Sequence, residues 1–216
     1  MTRIAIVDYG MGNFHSVARA LQAAAPDHDI HIARDADEIL AADRVVFPGQ
    51  GAMPDCMRTL DTSGLRDAVL RAAREKPLLG VCVGEQMLFE ASDEGDTPGL
   101  GLFAGRVRRF QGPAFDHAAD GGERLKVPHM GWNAVTQTRD HPLWEGIAQD
   151  TPFYFVHSYY AEPADPALTV GVSIHGLPFC CAIADGNIFA VQFHPEKSGR
   201  FGLHILKNFT EWNGTC

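Results

Sequence analysis

The sequence has no long apolar run. Its longest uninterrupted one is six residues, Phe179 to Ala184, against the ~20 a membrane-spanning helix needs. It also has no surplus of basic residues: 18 Lys and Arg stand against 27 Asp and Glu, a formal net charge of −9. That balance excludes a basic stripe for nucleic acid or anionic membrane. Cysteine is sparse, five in all. The odd count argues against a disulfide framework, and the absence of C-x-x-C spacing argues against a zinc site. The start, Arg3 to Asp8, reads as a first strand rather than a signal-peptide core, so a reducing cytoplasm is the expected compartment. No repeat, low-complexity stretch or long linker interrupts the chain. At 216 residues and 45% hydrophobic composition, a single domain over 1–216 is expected. Size scaling gives it about 9,800 Å² of folded surface.

Strand-like and helix-like segments alternate in the first half. Strands are expected at Arg3 to Asp8, Asp29 to Ala33, Arg44 to Phe47 and Pro77 to Val81. Helices are expected at Phe14 to Ala24 with Asn13 as cap, Asp35 to Ala42, Leu65 to Glu75, and over 83 to 92. Gly95 to Gly122 is rich in glycine, with a strand at Arg106 to Phe110. Short strands dominate from Trp132 to Phe193: Phe153 to Ser158, Thr169 to Ile174, Phe179 to Ala184 and Ile188 to Phe193. Hairpin turns fall at His175-Gly176 and Asp185-Gly186-Asn187. An amphipathic helix, Gly202 to Trp212, follows. The order predicts an α/β fold: a mostly parallel, doubly wound central sheet flanked by helices, with an antiparallel β extension from the second half.

The chemistry concentrates at Gly80-Val81-Cys82-Val83-Gly84, a strand running into a helix. This is a cysteine form of the nucleophile elbow, G-x-C-x-G, whose glycines permit a sharp turn and close backbone approach. A thiol there sits at a helix N-terminus, and the Val83 N–H is free to face a developing oxyanion. A cysteine nucleophile needs a base and a group to orient it. His194 and Glu196, read as two apart in an extended segment around Pro195, are the candidates. A buried core cysteine and a surface His-Pro-Glu turn are the alternatives these residues leave open. Gly49-Gln50-Gly51 follows a strand and could supply further oxyanion donors. Tyr9-Gly10-Met11-Gly12-Asn13 is not a dinucleotide loop, since the third glycine of G-x-G-x-x-G would fall at His15. No cofactor or metal motif is present. His117, His141, His175 and Cys216 carry no readable role.

Taken together, Tyr9-Gly10-Met11-Gly12-Asn13, Pro48-Gly49-Gln50-Gly51, the Cys82 elbow, Lys126-Val127-Pro128-His129-Met130-Gly131-Trp132-Asn133, Phe153 to Tyr159 and Gln192 to Ser198 resemble the class I (triad) glutamine amidotransferases. Within them the stretches are similar to the glutaminase subunits of imidazole glycerol phosphate synthases. The resemblance implies Cys82 as nucleophile, His194 as general base and acid, and Glu196 as its orienter. It implies an oxyanion strand at Gly49, Gln50 and Gly51 with Val83, and glutamine contacts from Gln86, Ser158 and Tyr159. It further implies an interface at Asn13, Trp132 and Lys197 for a separate (β/α)8-barrel cyclase subunit, in a heterodimer that receives ammonia. The isolated chain is then expected to be weakly active. Two residues depart from the family pattern. Gln50 replaces an aliphatic residue and Glu85 a methionine, which brings a carboxyl three residues after the thiol; it is expected to point away from the site. An amidotransferase serving another synthase (anthranilate or carbamoyl phosphate) and a different cysteine hydrolase on the same fold are the alternative readings.

Overall fold

The computed structural model describes residues 1–116 and 124–215. His117, Cys216 and the end of the glycine-rich stretch therefore lie outside the described residues. The chain exposes 9581 Å², close to the size-based expectation. A parallel block forms first. Strands β1 (Arg3–Val7), β2 (Asp29–Ala33), β3 (Arg44–Gly49) and β4 (Leu78–Cys82) stand in the order β2-β1-β3-β4, all parallel. Helices α1 (Phe14–Ala24), α2 (Ala36–Ala41), α3 (Met53–Ser63) and α4 (Arg66–Glu75) make the connections, and a single turn, α5 (Val83–Gln86), follows β4. Each helix buries an apolar stripe at helical spacing: Val17, Ala20 and Leu21 on α1, and Ala68, Val69, Ala72 and Ala73 on α4.

The remaining strands are β5 (Phe89–Ser92), β6 (Thr97–Pro98), β7 (Phe103–Arg109), β8 (His129–Gln137), β9 (Thr151–His157), β10 (Tyr159–Pro163), β11 (Thr169–Ile174), β12 (Pro178–Asp185) and β13 (Ile188–Val191). The last of these returns to the parallel block and pairs with β4. From β13 the sheet continues through β12, β10, β7, β5 and β6, and β11 leads off β12 to a β8–β9 pair. The pairings beyond β13 are antiparallel except β5 with β7. Strands β4 and β13 are buried along their whole length, as expected where a parallel sheet is covered on both faces. Helices α6 (Pro113–Asp116) and α7 (Gly199–Glu211) complete the described α-helices, and α7 packs against α1.

Three local expectations are corrected. The helix expected over 83 to 92 stops after Gln86, and β5 takes its place. The carbonyls that a helix would use are taken by distant backbone instead: Leu100 N–H bonds Met87 O, Leu102 and Phe103 bond Leu88 O, and Gly101 bonds Phe89 O. Asn13 occupies the cap position of α1, but its side chain makes no capping bond. Pro195–Lys197 is a 3₁₀ turn rather than an extended segment. Helix α3 was not expected at all, although Met53, Cys56, Met57 and Leu60 follow helical spacing and are its buried face.

The topology gathers three chain segments at one edge. Gly49 pairs with Cys82, and Val81 with Val191. The C-terminal ends of β3, β4 and β13 are thus neighbours, the edge at which open α/β sheets bind ligands.

Candidate active site

Cys82 ends β4 at φ 56°, ψ −114°, a sparsely populated conformation costing about 1–3 kcal/mol. Close packing holds it there. A Cβ on Gly84 would run into the Phe47 carbonyl, and one on Gly49 would lie 2.7 Å from the Gly84 nitrogen. Glycine at these positions lets β3 and the elbow touch backbone to backbone, which presents the cysteine at the sheet edge. Since α5 is one turn long, it offers unpaired N–H groups but little macrodipole.

His194 lies just past β13 and is held through its backbone. Its N–H donates to Tyr154 O at 2.9 Å, and Ser198 Oγ donates to His194 O at 2.6 Å. The Tyr154 N–H in turn donates to Ser198 Oγ at 3.0 Å. The turn then brings His194 Nδ1 to 2.9 Å from Glu196 Oε1. Both side chains are buried, and Nε2 has no hydrogen-bond partner. Burial opposes charge on this ring, but the Cys82 sulfur and the Glu196 carboxylate outweigh it and hold the His194 pKa up to about 10. Through the neutral range the imidazole is therefore protonated, with carboxylate at one nitrogen and sulfur as the other main influence.

Beside the sulfur opens a crevice of about 250 Å³. That is smaller than the ~300–1,000 Å³ of drug-sized sites and suited to a single amino acid. Its walls include Gly51, Val83, Gln86, Ser158 and Tyr159 from the expected set. Gly49 lies behind the elbow, paired to Cys82. Gln50 points to solvent, and its carbonyl accepts from the Cys56 thiol at 3.4 Å. Glu85 is absent from the crevice wall and has no exposed surface.

Glu94, Pro128, Val156 and His157 also line the crevice and were not anticipated. Glu94 Oε2 accepts from the Met53 N–H at 2.8 Å, so the same carboxylate that faces the crevice caps α3. No local motif announces it, because its position depends on β5 leaving the expected helix. Gln192 is wholly buried and donates to Cys82 Sγ at 3.7 Å. It adjoins the His-Pro-Glu stretch, but nothing in that spacing says where it points. Among the described residues no cluster of three or more His, Cys, Asp or Glu is arranged to hold a metal ion, and no helix is long and apolar enough to cross a membrane.

The three expected interface residues lie apart from the crevice. Trp132 is 56% exposed and sits 6.1 Å, centroid to centroid, from Tyr154. Lys197 Nζ lies 6.0 Å from the same tyrosine ring. Asn13 precedes α1, which packs against the Pro195–Lys197 turn.

Comparison with known proteins bears on the family and the fold. The model of the class I glutamine amidotransferase family matches residues 5–212. The imidazole glycerol phosphate synthase subunit HisH of Dechloromonas aromatica (strain RCB) is 61% identical over 209 residues, covering 97% of this chain and 96% of its own. The protein of the same name from Chromobacterium violaceum is 57% identical, covering 98% and 99%. Among solved structures, a putative GMP synthase component from Thermoplasma acidophilum superposes with TM-score 0.69 at 20% identity, over 98% of this chain and 93% of that one. PurLQS from Thermotoga maritima gives TM-score 0.68 at 17% identity, over 98% and 99%. These two support the fold alone. The chain belongs to the class I glutamine amidotransferases and, within them, to the family of imidazole glycerol phosphate synthase HisH subunits.

Proposed function

We propose that the glutaminase chemistry of this synthase subunit runs through Cys82, His194 and Glu196. The Cys82 thiolate attacks the side-chain carboxamide carbon of glutamine. The resulting oxyanion accepts hydrogen bonds from the Val83 N–H and the Gln50–Gly51 loop; loss of one such donor typically costs about 2.7–4 kcal/mol of barrier. His194, charged in the resting site, gives its proton to the departing ammonia and leaves a glutamyl thioester. It then takes a proton from water, whose attack releases glutamate and regenerates the thiolate. Glu196 holds the ring's orientation and stabilises its charged form. In the crevice, Gln86, Ser158 and Tyr159 contact the substrate, and Glu94 offers a carboxylate to its α-ammonium group. The observation that carries the reading is the imidazole bonded to Glu196 at 2.9 Å and raised in pKa by the Cys82 sulfur.

The ammonia serves a (β/α)8-barrel cyclase, the second subunit of a cytoplasmic heterodimer. That subunit forms imidazole glycerol phosphate and aminoimidazole carboxamide ribotide. The exposed Met130 and Trp132, with Lys197 and Asn13 nearby, support a docking face there. Cys82→Ser in the assembled synthase should lower glutamine-dependent synthesis by at least about a thousandfold, with synthesis from added ammonium salts intact. Persistence of glutamine-dependent synthesis would refute Cys82 as nucleophile. Glutaminase activity should also rise when the cyclase and its nucleotide ligand are added; equal rates with and without them would refute the coupling.

A further inference from the structure

The crevice wall is joined to the nucleophile by hydrogen bonds that the reaction steps do not use. Gln192 donates from Nε2 to Cys82 Sγ at 3.7 Å, and its Oε1 accepts from Gln86 Nε2 at 2.8 Å. The same Gln86 amide donates to Tyr159 O at 3.1 Å. That carbonyl is also 2.7 Å from His157 Nδ1. A carbonyl only accepts, so His157 carries its proton on Nδ1 and Nε2 must accept. His129 Nδ1, 2.9 Å from His157 Nε2, is then the donor. This leaves His129 Nε2 to accept from Asn133 Nδ2 at 3.2 Å. Every donor in the series finds an acceptor, and one assignment of tautomers satisfies all of it.

The series starts on β8, where Asn133 adjoins the exposed Trp132, and ends at the sulfur. His129 and His157 face each other across the β8–β9 pairing, and His129 stacks on His175 with ring centroids 4.2 Å apart. Gln192 has no exposed surface, and Gln86, His129 and His157 are buried. A buried polar group left unpaired is costly, so a break at one point disturbs its neighbours. The line also requires neutral imidazoles, each donating with one nitrogen and accepting with the other. Burial lowers His157 to about 3 and His129 to about 4, and so keeps both neutral.

We propose that Gln192, His157 and His129 are positioning residues for the Cys82 sulfur, joined through Gln86 and the Tyr159 carbonyl in one hydrogen-bonded line from the β8 face to the nucleophile. The proposal rests on Cys82 being the glutaminase nucleophile. Gln192 holds Sγ toward the crevice, while the histidines fix the carbonyl against which Gln86 and Gln192 are set. His194, Tyr9, Cys56 and Glu85 also lie within electrostatic reach of the Cys82 sulfur and stay unaltered in the variants below.

The test uses the assembled synthase, with co-elution of the two subunits as the check on folding. Gln192→Met keeps the volume and removes both hydrogen bonds. It should lower glutamine-dependent turnover about tenfold to a hundredfold, the worth of one hydrogen bond to a charged group. Alkylation of Cys82 by a diazoketone analogue of glutamine should slow in parallel. Gln192→Met should also move the pH midpoint of that alkylation upward, because the lost N–H donor favours the thiolate over the thiol; a residue that only packs would leave the midpoint in place. His157→Phe should slow alkylation in the otherwise unaltered protein and add little in the Gln192→Met background. Two effects that multiply in full, or a Gln192→Met protein equal to the unaltered one in turnover and alkylation, would overturn the proposal. Unreduced glutaminase activity in Cys82→Ser would instead remove the nucleophile it rests on.

Discussion

The two sides of the Cys82 elbow treat a buried carboxyl group in opposite ways. On the imidazole side, Glu196 has one oxygen 2.9 Å from His194 Nδ1 and shares in keeping that ring charged. On the core side, Glu85 lies within α5, which packs under β3, and neither carboxyl oxygen has a hydrogen-bond partner. Burial, with the nearby Cys82 sulfur adding to it, pushes the Glu85 acid well above the usual carboxylate range. It is carried as a neutral acid. The same influence acts on the thiols of Cys180 and Cys181, which burial also pushes well up. Loss of solvent is common to both sides, so the difference lies in the partner. Glu85 has no cation at hydrogen-bond distance, which leaves protonation as its lower-energy state. A neutral Glu85 places no second negative charge beside the Cys82 sulfur.

The sharpest way to break this contrast is Glu196→Gln. It replaces the carboxyl partner of His194 without changing size and should lower kcat for glutamine about 10²- to 10⁴-fold, with KM little altered. Steady-state glutaminase kinetics measure it, and a loss under about threefold would mean that Glu196 does not orient the base. Glu85→Met, which relieves the core side of an unpartnered acid, should raise stability by about 1–3 kcal/mol. The pH dependence has a definite sign. The unfolded chain ionises Glu85 above its ordinary range while the folded chain keeps it protonated, so stability falls as pH rises from that range toward the raised folded value. The variant should lose that slope in denaturant melts run across pH, and an unchanged slope would show that Glu85 finds a partner in solution. The smallest effect is on His194. Its folded pKa of about 10 lies above the ~6.5 of a free imidazole. Its stabilising contribution is therefore full below the free value and lost as pH rises through about 10. Cys82→Ser removes the sulfur's share, so a ring titration followed by NMR should move to lower pH. An unmoved titration would assign the whole shift to Glu196.

Features with a local cause were legible along the chain. The strand over 29–33 falls where alternation put it and that over 169–174 where a short strand was expected, and the hairpin turns at His175-Gly176 and Asp185-Gly186-Asn187 join antiparallel neighbours. The glycines of the elbow announced a sharp turn, and Cys82 adopts one. The expected helix over 83 to 92 failed for the opposite reason. Its carbonyl partners sit on residues 99–103, and no periodicity within the segment reports a bond made to another part of the chain.

The candidate site divides along the same line. The candidate nucleophile, imidazole and carboxyl group are proposed from residue type and motif, and the strand-to-helix joint that presents the sulfur is legible there too. Pairing of β13 beside β4 was needed to bring His194 to Cys82. Folding also placed Gln192 against the sulfur, turned Glu94 into the crevice and made Glu85 a neutral acid. Reach, solvent exclusion and hydrogen-bond partnership belong to the folded arrangement, and those three quantities decide which side chains hold a charge and what they hold it against.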